Sequence, residues 1–301
     1  MCVADVMQVG DYIKAGRIAG EVREIVRTRD FTGKTVYEVC EWVEREIRSR
    51  GADCAFPVNT SINEVAAHYT AEPDDPLVIE NGDLVKVDLG AHINGYIADT
   101  AVTLSYNEKH DALAQAAEDA LSRAMQVCTI GSKSGKIGKV IEKSIKSAGF
   151  RPIANLSGHS LDQYTIHAGK TLPNIWAFGG FSLSDKSAYA CEPFCTYSDG
   201  GGFVRNGQIK NIFALHNRRR TKDAAADAML TYIWENFSTL PFAQRWLTEQ
   251  FGESTSDTLQ LLVRKKAIKA YPVLLESHGK TVAQAEHTFI PGETTPLITT
   301  K

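Results

Sequence analysis

The spacing of apolar residues changes within the first third of the chain, and this change limits the folds that the chain can adopt. Residues 3–29 and 35–51 carry apolar side chains at helical spacing. Residues 83–105 alternate instead, as two antiparallel strands do, with a turn at 92–95. Both patterns recur later, as helices at about 108–128 and 135–148 and as strand-like segments near 187–197 and 281–290. This order predicts an α+β fold with two similar halves.

A long helical pattern interrupts the strand-like sequence of the second half. It covers about residues 221–270, and strand-like sequence resumes after Tyr271 and Pro272. We therefore interpret residues 208–275 as a helical insertion within a single catalytic domain of residues 1–301.

Composition excludes several classes of protein. The 301 residues include 33 basic and 36 acidic side chains, and a net charge of -3 gives no field that would hold nucleic acid or an anionic membrane. Six cysteines form no Cys-x-x-Cys pair, and no segment approaches the roughly 20 apolar residues of a membrane span. We expect a cytoplasmic protein with reduced thiols, and neither nucleic acid nor membrane as a partner.

Five polar residues interrupt strand-like or loop segments where an unpaired charge is costly. Asp88 and Asp99 lie on the two predicted strands of the hairpin, and Glu192 and Glu286 lie inside the apolar runs YACEPF and VAQAEHTFI. His159 follows a glycine in the string NLSGHSLDQ, a position that we interpret as permissive for an imidazole pointing into a cleft. Each residue alone fits an ordinary structural role.

Taken together, these residues are the ligand inventory of a site for two divalent ions. Four carboxylates carry a charge of about -4, which two divalent ions would neutralise, and no cluster of Lys or Arg is placed nearby to do so. One imidazole among carboxylates suits Co, Mn, Fe or catalytic Zn better than a structural zinc site.

Four strings add a specific resemblance to these five residues. They are NEVAAHYT at 63–70, GHSLDQYTIHAGK at 158–170, NFSTLPFAQRWL at 236–247 and YPVLLESHGKTVAQAEHT at 271–288. With them the sequence resembles the methionine aminopeptidases, and in particular their type II subfamily in its short archaeal form. The resemblance implies a pita-bread fold, with two pseudo-symmetric halves around antiparallel sheet and the helical insertion of type II.

The resemblance also implies an activity and a metal site. The family hydrolyses the initiator methionine from nascent proteins, prefers a small second residue, and uses a water or hydroxide that bridges two metal ions as the nucleophile. By resemblance, Asp99 and Glu286 bridge the two ions and Asp88 chelates one of them. His159 and Glu192 complete the other, and Glu192 also acts as general base.

Two further histidines and an apolar pocket follow from the same resemblance. His68 and His167 would steer the scissile amide and stabilise the oxyanion. His287, next to Glu286, should face the opposite side of its strand in a structural role. The pocket for the methionine side chain is expected to be lined by Phe56, His68, Ile166, His167, Phe194 and Tyr271.

The resemblance implies partners and leaves two alternatives open. The expected partners are the N-terminal methionine of peptides and nascent chains, close to the ribosome, for a monomeric enzyme. The first alternative is a prolidase or aminopeptidase P, which share the metal site and act around proline. The second is a non-catalytic pita-bread protein that binds ribosomes or RNA. Because such relatives lose metal ligands, the five residues present here favour the peptidase.

Overall fold

The first half of the chain forms two long helices followed by a hairpin, as predicted. The computed structural model describes the backbone of residues 3–301 and the side chains from residue 9 onward, so Cys2 lies outside the described residues. Thr35 and Glu38 form a reciprocal capping box at the start of the second helix. The elements are α1 (Val3–Thr28), α2 (Val36–Ser49), β1 (Asp53–Cys54), β2 (Asn59–Ile62), β3 (Val65–Ala67), β4 (Leu84–Ile93) and β5 (Tyr96–Ser105).

The second half repeats two helices followed by strands, and further helices lie between its strands. Single turns of 3-10 helix occur at Glu108–His110 and Gly252–Ser254. The helices are α3 (Asp111–Met125), α4 (Ser134–Ser147), α5 (Ala224–Phe237), α6 (Gln244–Phe251) and α7 (Thr255–Arg264). The strands are β6 (Arg151–Pro152), β7 (Ser157–Leu161), β8 (Thr171–Pro173), β9 (Ala188–Cys191), β10 (Phe194–Thr196), β11 (Val204–Asn206), β12 (Ile212–Leu215), β13 (Phe242–Ala243), β14 (Ile268–Tyr271), β15 (Leu274–Glu276), β16 (Val282–Gln284), β17 (His287–Ile290) and β18 (Leu297–Ile298).

Antiparallel pairing brings distant parts of the chain together. Within residues 3–301 the strands form five sheets, of order β1-β4-β2 with β5 also on β4, β16-β10-β6, β11-β15-β3, β13-β12-β14 and β18-β17-β9-β7-β8. Helices α1 and α2 pack on β4 and β5 in one hydrophobic core. Helices α3 and α4 pack on β9, β10 and β17 in another. The predicted α+β architecture in two similar halves is therefore confirmed.

A third core lies within the predicted insertion of residues 208–275. It packs helices α5, α6 and α7 against the sheet of β12, β13 and β14, around buried side chains such as Met229, Phe242 and Leu262. Each of the three helices contacts another helix of the segment and a strand of this sheet, so the segment has a core of its own.

The described cysteines are all thiols. Cys40, Cys54, Cys128, Cys191 and Cys195 are free and buried. Among the helices of residues 3–301, none combines the length and the apolar character that crossing a bilayer requires.

Candidate active site

Strand pairing places three of the predicted ligands side by side. In the β4–β5 hairpin, Asp99 pairs with Gly90, so Asp88, two residues before Gly90, projects from the same face. Glu286 lies between β16 and β17 and forms a bridge to Ala101, next to Asp99 on the same sheet surface.

Side-chain hydrogen bonds from threonines hold these two segments together. The Thr100 hydroxyl donates to the Glu286 carbonyl at 2.7 Å, and the Thr288 hydroxyl donates to the Asp99 carbonyl at 2.8 Å. These bonds fix the backbone under both carboxylates, so their separation is set by the fold and not by the side chains alone.

His159 and Glu192 complete the group from the other half of the chain. His159 lies in β7, and Glu192 directly follows β9, which pairs with β7. The His159 Nε2 lies 3.5 Å from Glu192 Oε1 and 3.7 Å from Asp99 Oδ2. One ligand atom each of Asp99, His159 and Glu286 falls within 4.8 Å of the others.

Burial leaves several atoms of this cluster without a partner. Asp99, His159 and Glu286 are 4%, 7% and 2% exposed. Among the residues that the structure describes, no hydrogen-bond partner is present for Asp88 Oδ1, Asp99 Oδ1, His159 Nδ1 or Glu286 Oε1. Such atoms are uncommon in folded proteins, and four of them in one cluster indicate a place where a ligand can bind. Their donor set of carboxylates and one imidazole fits borderline divalent ions.

The pKa values of the clustered side chains also favour a bound cation. Burial raises the pKa of Asp88 to about 7. Burial and the neighbouring carboxylates raise the pKa of Asp99, Glu192 and Glu286 well above the usual range. Burial, followed by His167, lowers the pKa of His159 to about 3. Across residues 9–301 no Lys or Arg pairs with these carboxylates, so the charge of a cation is required to keep them ionised together.

The cluster forms one wall of a cavity of about 330 Å³. The six residues predicted for the methionine pocket all line this cavity, together with the five predicted metal ligands. Phe56 enters it because Gly90 has no side chain: a Cβ at Gly90 would lie 2.2 Å from the Phe56 ring. The structure thus brings every predicted site residue to one place, while their individual roles stay predictions.

The two additional histidines lie at different depths of the cavity. His68 is half-buried, and its Nδ1 lies 3.2 Å from the carbonyl oxygen of Pro272. Burial lowers the pKa of His68. The ring of His167 lies 4.5 Å from that of His159 and is exposed, yet burial by surrounding atoms, with His68 and Lys269, lowers its pKa as well. The lowered pKa values favour the neutral form of both rings at pH 7.

His287 has the structural position that its strand alternation predicted. Its Nδ1 lies 2.9 Å from Arg23 Nη1 and 2.8 Å from Thr300 Oγ1, on the side of β17 away from the cavity.

Sequence reasoning missed Gln284 and misread Gly158. The Gln284 amide donates to Asp88 Oδ2 and to Glu286 Oε2, at 3.2 Å each. Its position two residues before Glu286 was the available signal, since alternate strand residues share a face. A glycine is needed at position 158 because the strands approach each other closely there: a Cβ would lie 2.2 Å from the Ala190 carbonyl oxygen. The reason is therefore not the backbone conformation that we had expected.

Comparisons with known proteins identify the family. Residues 11–216 match metallopeptidase family M24. The methionine aminopeptidase of Methanocaldococcus jannaschii is 40% identical over 289 residues, which cover 96% of this chain and 97% of the relative. That of Pyrococcus horikoshii is 40% identical over 297 residues, which cover 98% and 100%.

The fold and the site define a metallopeptidase, and the chain belongs to metallopeptidase family M24. Within that family it is a relative, over nearly its full length, of the archaeal methionine aminopeptidases. The predicted resemblance and the predicted enzyme class are confirmed.

Solved structures of low sequence identity share the fold. A thermophilic Arx1 has a TM-score of 0.85 at 17% identity and covers 98% of this chain and 90% of its own. The methionine aminopeptidase of Thermotoga maritima has a TM-score of 0.71 at 20% identity, with coverage of 98% and 97%. The prolidase of Pyrococcus furiosus has a TM-score of 0.63 at 18% identity, with coverage of 98% and 64%. The predicted pita-bread fold is thus confirmed.

Proposed function

We propose that the protein hydrolyses the peptide bond that follows an N-terminal methionine, with a preference for a small second residue. The observation that carries this proposal is the buried cluster of four carboxylates and one imidazole on the wall of a largely apolar cavity. The 40% identity to archaeal methionine aminopeptidases supports the choice of methionine.

Two divalent ions, of Co, Mn, Fe or Zn, would be held by Asp88, Asp99, His159, Glu192 and Glu286. Ions at these ligands would polarise the scissile carbonyl and bring the pKa of water toward neutrality. The unpartnered atoms on four of the five residues support this assignment. A single ion would leave part of the carboxylate charge uncompensated.

The positions of Glu192 and His167 support an acid-base role for the first and an oxyanion role for the second. Glu192 is a carboxylate beside the proposed metal ligands and accepts the proton of the attacking water. His167 is neutral, so one ring nitrogen carries a proton and donates a hydrogen bond to the developing oxyanion. Its exposure at the cavity leaves it free to meet the substrate carbonyl.

The contact between His68 and Pro272 supports a different role for His68. A carbonyl oxygen only accepts hydrogen bonds, so His68 Nδ1 carries the ring proton and donates it to Pro272. The Nε2 of neutral His68 is then an acceptor, suited to the N–H of the scissile amide. His68 thereby orients the leaving nitrogen, while His167 binds the oxygen.

The walls of the cavity fit an unbranched thioether. Phe56, Ile166, Phe194 and Tyr271 line the cavity and offer apolar and aromatic contact, which holds methionine mainly through dispersion. We infer that the remaining space admits only a small second residue.

The cellular setting follows from this reaction. We infer that the substrates are nascent chains and peptides in the cytoplasm, met close to the ribosome. We also infer that the enzyme is a monomer, whose single catalytic domain of residues 1–301 carries residues 208–275 as its insertion. The buried thiols of the described residues support a reducing compartment.

Hydrolysis of Met-Ala-Ser by chelator-treated protein, with Co, Mn, Fe or Zn added back singly, tests the proposal. We expect release of methionine to require metal, and calorimetric titration to give two ions per chain. Asp99→Asn should lose activity and one or both ions. Asp185→Asn, which changes an exposed carboxylate in the same way, should match the parent protein.

Two outcomes would contradict the proposal. Cleavage of X-Pro peptides in preference to Met-Ala-Ser would assign the prolidase or aminopeptidase P reaction instead. A folded, metal-loaded protein that cleaves neither peptide would support the non-catalytic alternative.

A further inference from the structure

Arg245 is a buried cation in the predicted insertion, and the hydrogen bonds of its side chain all reach residues outside that insertion. It lies in α6 and is 6% exposed. Its Nη2 pairs with the fully buried carboxylate of Glu44 in α2, and its Nε lies 3.0 Å from Glu41 Oε1. The neighbouring Trp246 indole donates to Glu44 Oε2 at 2.7 Å. A buried pair of this kind holds the two elements in a fixed orientation, because either partner alone is costly to bury.

The third nitrogen of the guanidinium, Nη1, contacts the segment that follows His68. Arg245 Nη1 donates to Thr70 Oγ1 at 2.6 Å and to the Ala71 carbonyl at 3.2 Å. The Thr70 hydroxyl in turn donates to the Val58 carbonyl at 2.9 Å. Thr70 is fully buried, so this chain of hydrogen bonds fixes the backbone two residues from His68.

His68 itself has a backbone conformation that needs external support. Its φ is +65°, a left-handed value that a side chain with a Cβ adopts at a cost. The predicted insertion and its edge hold this segment at two further points. Asn211 Nδ2 donates to the Thr70 carbonyl at 3.2 Å, and the Pro272 carbonyl accepts from His68 Nδ1.

We propose that Arg245, acting through Thr70, is a positioning residue that holds His68 in its catalytic orientation, so that the predicted insertion takes part in assembling the active site. This inference rests on the role proposed for His68. The planar guanidinium of Arg245 carries several N–H donors in fixed directions and contacts Glu44, Glu41 and Thr70 at once. The single ammonium group of a lysine cannot reproduce this arrangement.

The test compares Thr70→Val with Thr70→Ser. Valine keeps the shape of threonine and removes the hydroxyl, while serine keeps the hydroxyl. We expect Thr70→Val and Arg245→Lys to lower kcat on Met-Ala-Ser by about tenfold to a hundredfold, because a small displacement of a catalytic group has effects of this size. Thr70→Ser should retain most of the activity. Metal affinity, measured by calorimetry, should stay at the parent value in all three.

A matched control and a double-mutant cycle separate positioning from general stability. Thr231→Val makes the same chemical change on the exposed face of α5, where the hydroxyl donates to the backbone carbonyl of Asp227, and should leave kcat unchanged. In a His68→Ala background, Thr70→Val and Arg245→Lys should each change kcat less than about twofold, since the group that they position is gone.

The outcomes distinguish this inference from the proposed function. Equal losses of kcat in the parent and His68→Ala backgrounds would overturn the positioning role alone. An unchanged kcat for His68→Ala would refute the catalytic role of His68 and this inference with it. If Arg245→Lys disturbs folding, Thr70→Val still provides the test, because valine has the shape of threonine. The effect of Thr70→Val on kcat is then compared between the parent and the His68→Ala background.

Discussion

The metal-free protein should lose stability as pH rises, and Asp88 accounts for a definable part of that loss. Burial raises the pKa of Asp88 from its ordinary value of 3.8 to about 7. The native carboxyl therefore keeps its proton over a pH range in which the unfolded chain has released it. Its contribution is fully present below pH 3.8 and is lost as pH rises through 7. About 3 pH units at about 1.4 kcal/mol each amount to about 4 kcal/mol.

Asp88→Asn removes this contribution, because asparagine has a similar shape, can still accept the hydrogen bond from Gln284 and does not titrate. We would measure the free energy of unfolding of chelator-treated protein by urea denaturation between pH 4 and pH 8. The stability of the variant relative to the parent should rise across this range, by up to about 4 kcal/mol.

Two comparisons make the measurement specific. Asp185→Asn, at an exposed position, should show no such trend with pH. Saturating metal should reverse the order at pH 8, because the parent then gains binding energy that the variant lacks a ligand to use. A stability difference between Asp88→Asn and the parent that stays flat from pH 4 to pH 8 would refute the electrostatic reasoning.

Two further predictions concern the histidines. His159→Ala should lower kcat more than about a hundredfold and weaken metal binding in calorimetry. Mutating a residue that only hydrogen-bonds to a metal ligand already lowers affinity or activity by up to about a hundredfold. Full activity of the variant would remove His159 from the metal site. His167→Ala should lower kcat by about a hundredfold to a thousandfold with metal affinity unchanged, as expected for loss of an oxyanion donor; an unchanged kcat would refute that role.

Periodicity and local chemistry were enough to predict most of the elements. The helices of the first half and the hairpin over residues 83–105 follow from patterns among neighbouring residues in the sequence. The carboxylates of Asp88 and Asp99 were visible for the same reason, because each interrupts an apolar strand.

The parts that sequence reasoning missed depend on contacts between distant residues. The need for glycine at position 158 arises from the Ala190 carbonyl across the β7–β9 pair. The cavity also includes Ile212 and Pro241 from the predicted insertion, which no periodic pattern marks as pocket residues. In the sequence, Arg245 is one residue of the matched string at 236–247. Its contacts with other segments are visible only in the tertiary structure.

The chain shows elsewhere how it neutralises a buried carboxylate, and the contrast strengthens the assignment of the metal site. Glu44 is paired with Arg245. Glu276 accepts four backbone N–H groups, from Gly201, Gly202, His278 and Lys280, which outweigh its burial and lower its pKa. Within residues 9–301 the cavity carboxylates have neither a Lys or Arg partner nor such an array of N–H donors. Where a buried carboxylate is structural, this fold supplies a cationic side chain or several N–H donors to stabilise it. The four cavity carboxylates lack both, and the best explanation is that cations bind there for catalysis.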